Sequence, residues 1–262
     1  MTSVLSVKNL HQHYGTVKAL QGVSFDLRAG ECVALIGPNG AGKSTCFACL
    51  AGQQKPSQGS IQWRGQNLDA FAVDQRRSLG VVRTFQVAQV FQALTVLQNL
   101  QLVIQATVGV SAFDTLDDCV EEEARQWLRK MRLDHLGDAV LSSAAGNLSY
   151  GHQKRLELAL AMAGMPDAKS GLLLLDEPAA GLSPSERADM MTQVKSLAEE
   201  GTTVLYTEHN MDAVFGVADR VLVLMSGQLV AQGLPQEVAA NPLVRSQYLG
   251  EAFKFTEDAQ DA

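Results

Sequence analysis

The chain has 262 residues, of which 46% are hydrophobic and 19% charged, and its formal net charge at pH 7 is -7. This composition is typical of a globular protein with a sizeable core and excludes the disordered and fibrous classes. The acidic balance argues against nucleic acid or an anionic membrane surface as a partner, because both are bound by clustered Lys and Arg.

The amino terminus and the apolar runs indicate the compartment. Residues 1–8 lack the charged start and long apolar segment of a signal peptide, and no run approaches the roughly 18 apolar residues of a membrane span. We therefore expect a cytoplasmic protein that contacts a membrane only through a partner, with its four cysteines reduced. Cys46 and Cys49 form a C-x-x-C without a second pair or nearby histidines, so packing is favoured over zinc.

The first part of the chain is rich in strand patterns. Alternating runs at residues 3–7 and 23–27 predict an antiparallel sheet, with a turn at Tyr14-Gly15 between them, and residues 60–65 predict a further strand and turn. Residues 31–36 are mostly apolar and predict a strand buried on both faces, and residues 45–50 predict a helix.

A phosphate-binding pattern, G-x-x-x-x-G-K-[ST], lies between this strand and this helix. Backbone N–H groups and the helix dipole converge on such a loop, and its glycines permit positive φ and close approach of phosphates. Lys43 is expected to reach the β- and γ-phosphates, and Ser44 to bind Mg²⁺. The alternative is a Gly-rich turn that matches by chance. The residues assigned to the loop are Gly37, Pro38, Asn39, Gly40, Ala41, Gly42, Lys43, Ser44 and Thr45.

The middle of the chain, residues 87–165, has a helical character. Residues 117–128 predict an amphipathic helix whose acidic face carries a Glu121/Arg125 pair at i,i+4 spacing. A solvated face explains this charge run, so we assign it no function. The block is a candidate second subdomain.

Strand patterns return at residues 171–176, 202–207 and 220–224. A helix between the first two begins with Ser183 as N-cap, Pro184 at the first helical position and Glu186 completing a capping box. Alternation of strand and helix predicts parallel pairing and an α/β core. The acidic tail beyond Phe253 is expected to be loose.

Two carboxylates follow the apolar run 172–175. Asp176 and Glu177 stand at the carboxyl end of a buried strand, where α/β sheets place their ligands. Asp176 is expected to support the Mg²⁺ shell through water, and Glu177 to act as general base on an attacking water. The alternative is a polar strand exit without chemistry.

Five further motifs in one order resemble those of the ATP-binding subunits of ATP-binding-cassette (ABC) transporters, over nearly the whole chain. The first is Tyr14, and the second is Gln86 within Arg-Thr-Phe-Gln. The third is the segment 148–153, Leu-Ser-Tyr-Gly-His-Gln, which resembles the signature Leu-Ser-Gly-Gly-Gln. The fourth is the segment 180–183, which resembles the D-loop, and the fifth is His209, which resembles the switch histidine.

The resemblance implies ATP and Mg²⁺ as cofactors and an α/β P-loop NTPase fold of the ABC ATPase type. Residues 1–86 and 164–245 would form a RecA-like nucleotide-binding core with an antiparallel β subdomain. Residues 87–163 would form an inserted helical subdomain, and residues 246–262 a tail.

The resemblance also implies residue roles. Tyr14 would stack on adenine, although a turn or packing role is an open alternative. Gln86 would contact the magnesium and water and meet a membrane subunit, and His209 would hydrogen-bond the γ-phosphate, with packing as its alternative. Ser149 caps a helix whose N-terminus offers a second anion site, so Ser149 and Gly151 would contact ATP held by a second, head-to-tail subunit. The signature departs from the family at Tyr150 and His152.

Segments 176–184, 208–211 and 241–252 resemble the importers of branched-chain and other hydrophobic amino acids. That group implies two ATPase subunits, permease subunits in the membrane and an extracytoplasmic binding protein. Importers of urea or short amides, and a soluble ABC ATPase acting on nucleic acid or ribosomes, are the alternatives. A P-loop kinase or GTPase has no use for segment 148–151, and no guanine-reading Asn-Lys-x-Asp motif occurs in the chain.

Overall fold

The structure, a computed structural model, describes residues 3–108 and 118–250, without the side chains of residues 108, 118 and 119. The predictions for the tail beyond residue 253 and for the thiol of Cys119 lie outside the described part. The strands are β1 Ser3–Tyr14, β2 Val17–Arg28, β3 Cys32–Ile36, β4 Gln58–Trp63, β5 Gln66–Asn67, β6 Val81–Arg83, β7 Leu172–Asp176, β8 Thr203–Thr207, β9 Arg220–Met225 and β10 Gln228–Gly233. The helices are α1 Lys43–Ala51, α2 Val73–Ser78, α3 Val96–Val108, α4 Asp118–Lys130, α5 Asp138–Leu141, α6 Tyr150–Ala163, α7 Pro184–Glu199, α8 Met211–Phe215, α9 Pro235–Ala240 and α10 Pro242–Val244.

The amino-terminal sheet is antiparallel, as predicted, in the order β2-β1-β4-β5. Its first two strands are much longer than the predicted runs, because each has 12 residues. Register shifts at bulges interrupt the alternation of apolar residues along β1, so only part of each strand shows a clear pattern in the sequence. The predicted turn is present, since Tyr14 pairs with Val17 across it.

The second sheet has the order β10-β9-β3-β8-β7-β6. The pairs β3 with β8, β3 with β9, β7 with β8 and β6 with β7 are parallel, which confirms the predicted α/β core, and β10 adds an antiparallel edge. The carboxyl ends of β3, β7 and β8 therefore meet at one edge of the sheet.

Both faces of the parallel sheet are buried. Along β3, Cys32, Ala34 and Ile36 join the core on the side of α6, α7 and α8, whereas Val33 and Leu35 join the core formed with α1 and the antiparallel sheet. A strand that packs on two faces needs apolar residues at successive positions, which is why β3 and β7 are continuous apolar runs.

The central block is helical, as its composition predicts. The predicted acidic-faced helix is α4, and Arg125 Nε lies 3.0 Å from Glu121 Oε1. The buried residues of α3, α4 and α6 belong to the same hydrophobic cluster as one face of the parallel sheet. The boundary of a separate helical subdomain therefore remains a proposal.

Local capping also follows the sequence. Ser183 accepts the Glu186 N–H and Glu186 accepts the Ser183 N–H, so α7 begins with the predicted capping box. Residues 165–170 contain a short 3-10 helix capped by Asp167, and Thr202 Oγ1 donates to Ala168 O at 2.8 Å. This hydrogen bond links the segment before β7 to the residue before β8.

The cysteines with described side chains pack in the core. Cys32, Cys46 and Cys49 are free and buried, and burial raises the pKa of Cys49 to about 11. Among the described residues no group of three or more His, Cys, Asp or Glu side chains is placed to hold a metal ion. The burial of Cys46 and Cys49 fits the packing interpretation of the C-x-x-C. Over the same residues, no helix combines the length and apolarity that crossing a bilayer requires.

Candidate active site

The phosphate loop connects β3 to α1 with glycines in the left-handed region of φ. Gly37, Gly40 and Gly42 have φ of 149°, 77° and 104°. A Cβ at Gly37 would lie 1.9 Å from Leu224 O, and one at Gly42 would lie 2.5 Å from Ala19 O. No other residue fits at positions 37 and 42, for steric as well as conformational reasons. The helix begins at Lys43, two residues earlier than predicted, with Gly42 as its N-cap.

Lys43 folds back over its own loop. Its Nζ donates to Gly37 O at 2.7 Å and to Pro38 O at 3.1 Å, and the residue is only 8% exposed. Burial lowers the pKa of Lys43, while the neighbouring carboxylates of Glu177 and Asp176 oppose that shift. The ammonium is therefore held beside the loop, where phosphate oxygens are stronger acceptors than the two carbonyls.

A cleft of about 400 Å³ opens over this loop. It brings together most of the predicted loop residues with both predicted carboxylates and the predicted histidine, although they come from three separate parts of the chain. The lining residues are Val17, Lys18, Ala19, Gln21, Asn39, Gly40, Ala41, Gly42, Lys43, Ser44, Thr45, Asp176, Glu177, His209 and Ser226.

Asp176 ends β7 and is fixed through both carboxylate oxygens. Arg83 at the end of β6 lies 2.7 Å from Oδ2, and Thr207 Oγ1 at the end of β8 donates to Oδ1 at 2.9 Å. The Arg83 guanidinium also lies over the rings of Phe47 and Phe85. The carboxylate is thus oriented toward the cleft by three adjacent strands.

Glu177 has a strained backbone, and each oxygen of its carboxylate contacts another side chain. Its φ is 49°, which costs of order 1 kcal/mol or more for a non-glycine residue. Its N–H donates to Thr207 Oγ1 at 3.1 Å, which helps to hold this conformation. Gln86 Nε2 donates to Glu177 Oε2 at 3.0 Å, and His209 Nε2 lies 3.0 Å from Oε1. Of the three residues predicted as catalytic, Gln86 and His209 therefore each contact Glu177 directly.

The donor set of the cleft suits Mg²⁺. Ser44 and Asp176 offer a hydroxyl and a carboxylate, and Gln86 offers an amide oxygen nearby. Mg²⁺ is usually bound through one or two carboxylates, waters and substrate phosphates rather than by a protein cage. Because Arg83 and Thr207 already use both oxygens of Asp176, a contact through water fits better than direct ligation.

Sequence reasoning missed three residues that shape this site. Arg83 and Thr207 position Asp176, as described above. Glu208 is 4% exposed, accepts the Ala179 N–H at 2.8 Å and accepts the His209 N–H at 3.2 Å. It therefore ties the loop after Glu177 to His209. An acidic residue directly before the predicted histidine was the available signal.

Tyr14 stands at the turn between β1 and β2 and is 48% exposed. Its side chain does not line the cleft, but its cross-strand partner Val17 does. The adenine-stacking role of Tyr14 stays a prediction.

Neither Ser149 nor Gly151 lines the cleft over the phosphate loop. Ser149 is exposed and caps α6 by accepting the His152 N–H at 3.3 Å. Gly151 lines a second cleft of about 320 Å³ that contains Arg132, His135, His152, Arg155, Leu182, Glu186 and Asp189. Burial, followed by the charges of His135 and Arg155, lowers the pKa of His152, so this departure from the signature is a neutral side chain at physiological pH.

Comparison with known families decides among the nucleotide-binding classes. The family profile described as ABC transporter matches residues 20–180. This chain belongs to the ABC transporter family. The cassette is 38% identical over 260 residues to the high-affinity branched-chain amino acid transport ATP-binding protein LivG of Salmonella typhimurium, covering 95% of the cassette and 98% of LivG. It is 35% identical over 259 residues to BraF of Pseudomonas aeruginosa, a protein of the same description, covering 95% of the cassette and 98% of BraF.

Solved structures agree on the fold. The ADP conformation of MJ1267, an ATP-binding cassette of an ABC transporter, matches with a TM-score of 0.83 and 28% identity over 96% of this cassette and 100% of that chain. The dimeric post-hydrolysis state of the cassette MJ0796, bound to ADP and Pi, matches with a TM-score of 0.73 and 23% identity over 88% and 98% of the two chains, and therefore shares the fold. The predicted ABC ATPase fold is confirmed.

Proposed function

We propose that this cassette binds Mg·ATP and hydrolyses it to power an ABC importer. The observation that carries this proposal is the carboxylate of Glu177, which stands over the phosphate loop with one oxygen bound by Gln86 and the other beside His209. A side chain that is to take a proton from water needs this kind of fixed orientation near the phosphates.

Different residues of the chain bind the phosphates, accept the proton and orient the attacking water. Backbone N–H groups of residues 39–45 and the ammonium of Lys43 bind the phosphates at the start of α1. Ser44 and Asp176 would hold Mg²⁺, which would supply positive charge against the charge developing on the phosphate. Glu177 accepts the proton of the attacking water. Gln86 and His209 hold that water and the γ-phosphate in line, and Tyr14 supports the adenine.

The same site needs a second subunit. Gly151 lines a different cleft, and neither Ser149 nor Gly151 lines the cleft over the phosphate loop of their own chain. In a head-to-tail pair with another ATPase subunit, whether identical or different, they would face the γ-phosphate bound by the partner. Closure is then driven by contacts that exist only when ATP bridges the two subunits.

Branched-chain or other hydrophobic amino acids are the transported substrates we propose. Support comes from the names of LivG and BraF, which match this cassette nearly end to end. Permease subunits would hold the cassette at the cytoplasmic face of the membrane, and an extracytoplasmic binding protein would supply the substrate.

Lys43→Ala tests nucleotide binding by this loop. Loss of the ammonium should raise the dissociation constant of a fluorescent ATP analogue by about tenfold or more, because charge-assisted contacts to phosphate are lost. Lys195→Ala, a change of the same kind at an ion pair with Asp219, is the matched control and should bind normally. Equal affinity in the Lys43→Ala variant and the control would contradict the assignment of this loop.

Uptake tests the transport role. Cells that carry Lys43→Ala in place of the native cassette should lose accumulation of labelled leucine, isoleucine and valine. Loss of urea or short-amide uptake with intact leucine uptake would instead identify the alternative importer. Normal uptake of all these substrates, with the cassette bound to nucleic acid or ribosomes, would contradict an importer role.

A further inference from the structure

The cation that binds Asp176 stands outside the cleft over the phosphate loop. Asp176 itself lines that cleft. Arg83, whose Nη2 lies 2.7 Å from Asp176 Oδ2, instead lines a separate cavity of about 280 Å³ together with Gln53 and Phe85. The guanidinium therefore acts on the carboxylate without being part of the surface that nucleotide would contact.

Uncharged groups fix the guanidinium of Arg83 in place. Nη1 donates to Gln53 Oε1 at 2.5 Å, just after α1, and the ring centroids of Phe47 and Phe85 lie 5.7 and 5.4 Å from Cζ. The side chain is only 10% exposed. Among the described residues, Asp176 is the only acidic side chain that forms an ion pair with Arg83. The positive charge is therefore held at one position, beside one carboxylate.

This arrangement limits what Asp176 can bind. Arg83 takes Oδ2, and Thr207 Oγ1 donates to Oδ1 at 2.9 Å. An arginine stays charged at physiological pH, and its charge opposes the approach of a second cation to the same carboxylate. Without nucleotide, a divalent cation thus meets a carboxylate whose charge is already compensated. Phosphate oxygens supply further negative charge when nucleotide binds at the loop.

We propose that Arg83 makes the binding of a divalent cation beside Asp176 depend on nucleotide. It compensates the Asp176 carboxylate in the nucleotide-free chain, so that the cation enters together with the phosphates rather than before them. Arg83 is a positioning residue in this account. The inference rests on the proposed function, because it takes Asp176 as the carboxylate that supports the Mg²⁺ of Mg·ATP.

A purely structural role of Arg83 predicts a different result when the residue is replaced. If Arg83 only held Asp176 in place, its loss would leave the binding of a divalent cation to the nucleotide-free chain unchanged or weaker. If Arg83 compensates the carboxylate, its loss makes that binding stronger. The sign of the change in cation affinity therefore separates the two roles.

Titration of the nucleotide-free full chain with Mn²⁺, which accepts the same oxygen ligands as Mg²⁺, measures this sign. Electron paramagnetic resonance reports the free Mn²⁺. Arg83→Met should bind Mn²⁺ about tenfold more tightly than the wild-type chain, because an uncompensated carboxylate attracts the cation. Arg83→Lys keeps a charge near Asp176 and should stay within about threefold of the wild-type affinity. Adding Asp176→Asn to Arg83→Met should abolish the gain.

The same variants are also titrated with a fluorescent ATP analogue, in Mg²⁺ and in EDTA. Coupling between two ligands is reciprocal, so a cation that binds more readily without nucleotide gains less from nucleotide. The factor by which Mg²⁺ raises the affinity for the analogue should therefore be about tenfold smaller in Arg83→Met than in the wild-type chain.

Arg125→Met is the matched control. Arg125 lies 3.0 Å from both Glu121 and Asp138, so this variant removes the same charge from carboxylates that do not line the cleft. Its Mn²⁺ affinity should equal that of the wild-type chain. Urea unfolding confirms that each variant is folded under the titration conditions. Arg83→Gln, which keeps hydrogen-bond donors without the charge, should show the same gain as Arg83→Met and replaces it if that variant does not fold.

Unchanged or weaker Mn²⁺ affinity in the folded variant that lacks the Arg83 charge would overturn the inference. An equal gain in Arg125→Met would do so as well, since it would reveal a general effect of net charge, as would a gain that survives Asp176→Asn. A wild-type chain that binds no ATP analogue, with or without Mg²⁺, would contradict the proposed function and this inference with it. The expected order of Mn²⁺ affinities in that case would show that the failure lies in nucleotide binding rather than at Arg83.

Discussion

Asp176 shows how single residues prepare this site. The carboxylate is 15% exposed and is held by Arg83 from one neighbouring strand and by Thr207 from the other. Arg83 is itself largely buried, and its Nε has no hydrogen-bond partner among the described residues. The pair therefore depends on each partner, since removing one leaves an uncompensated charge in a partly dry environment.

Arg83→Met should lower the free energy of unfolding by about 1–3 kcal/mol, because a charge-assisted bond to a mostly buried carboxylate is lost. Urea unfolding followed by circular dichroism measures this change. Arg125→Met, at the exposed ion pair of α4, is the control and should cost less than about 1 kcal/mol. Equal losses in the two variants would contradict the account of Asp176.

Glu208 gives a pH dependence with a definite sign. Burial raises the pKa of Glu208 above its ordinary value of 4.5, and the charge of Glu177 adds to the shift. The folded chain therefore binds this proton more tightly than the unfolded chain, and the resulting stability is lost as pH rises from about 4.5 through the folded pKa. Glu208→Gln should flatten the decline of unfolding free energy over that window. An unchanged slope in urea titrations at several pH values would be evidence against this assignment.

At the scale of elements, the predictions that succeeded rest on local chemistry. The phosphate loop needs glycines at fixed positions, and α7 needs a capping serine and glutamate three residues apart. Both patterns can therefore be recognised within a few consecutive residues of the sequence. The long strands β1 and β2 were only partly visible, because bulges shift their alternation. The helix start at Lys43 was missed because a glycine N-cap gives no side-chain signal.

Ser183→Ala tests the contribution of capping to α7. The change removes the acceptor for the Glu186 N–H and the hydroxyl bond to the Glu186 carboxylate, and it should lower the free energy of unfolding by about 1 kcal/mol. Thermal or urea unfolding provides the measurement. Ser185→Ala, two residues further on, removes a hydroxyl that caps no backbone N–H, so it serves as the control and should change stability by less than about 0.5 kcal/mol. A neutral Ser183→Ala would show that the helix start is held by tertiary packing instead.

At the scale of the whole molecule, the site is assembled from distant segments. Arg83 and Asp176 are 93 residues apart in sequence, and Tyr150 and Gln86 are 64 apart. No local pattern encodes such pairs. The sequence therefore indicates the candidate catalytic and binding residues, but not the side chains that position them. Neither Ser149 nor Gly151 lines the cleft over the phosphate loop, which is why the proposed mechanism includes a second subunit.

Turnover by Glu177→Gln tests the central claim most directly. The variant keeps the size of the side chain but removes the proton acceptor, so it should bind Mg·ATP with near wild-type affinity and lose roughly 10²–10⁴ of the hydrolysis rate of the assembled transporter. Glu200→Gln, at an exposed ion pair with Lys130, should hydrolyse ATP normally. Near-normal hydrolysis by Glu177→Gln in the same assembly would show that Glu177 is not the general base and would contradict this account.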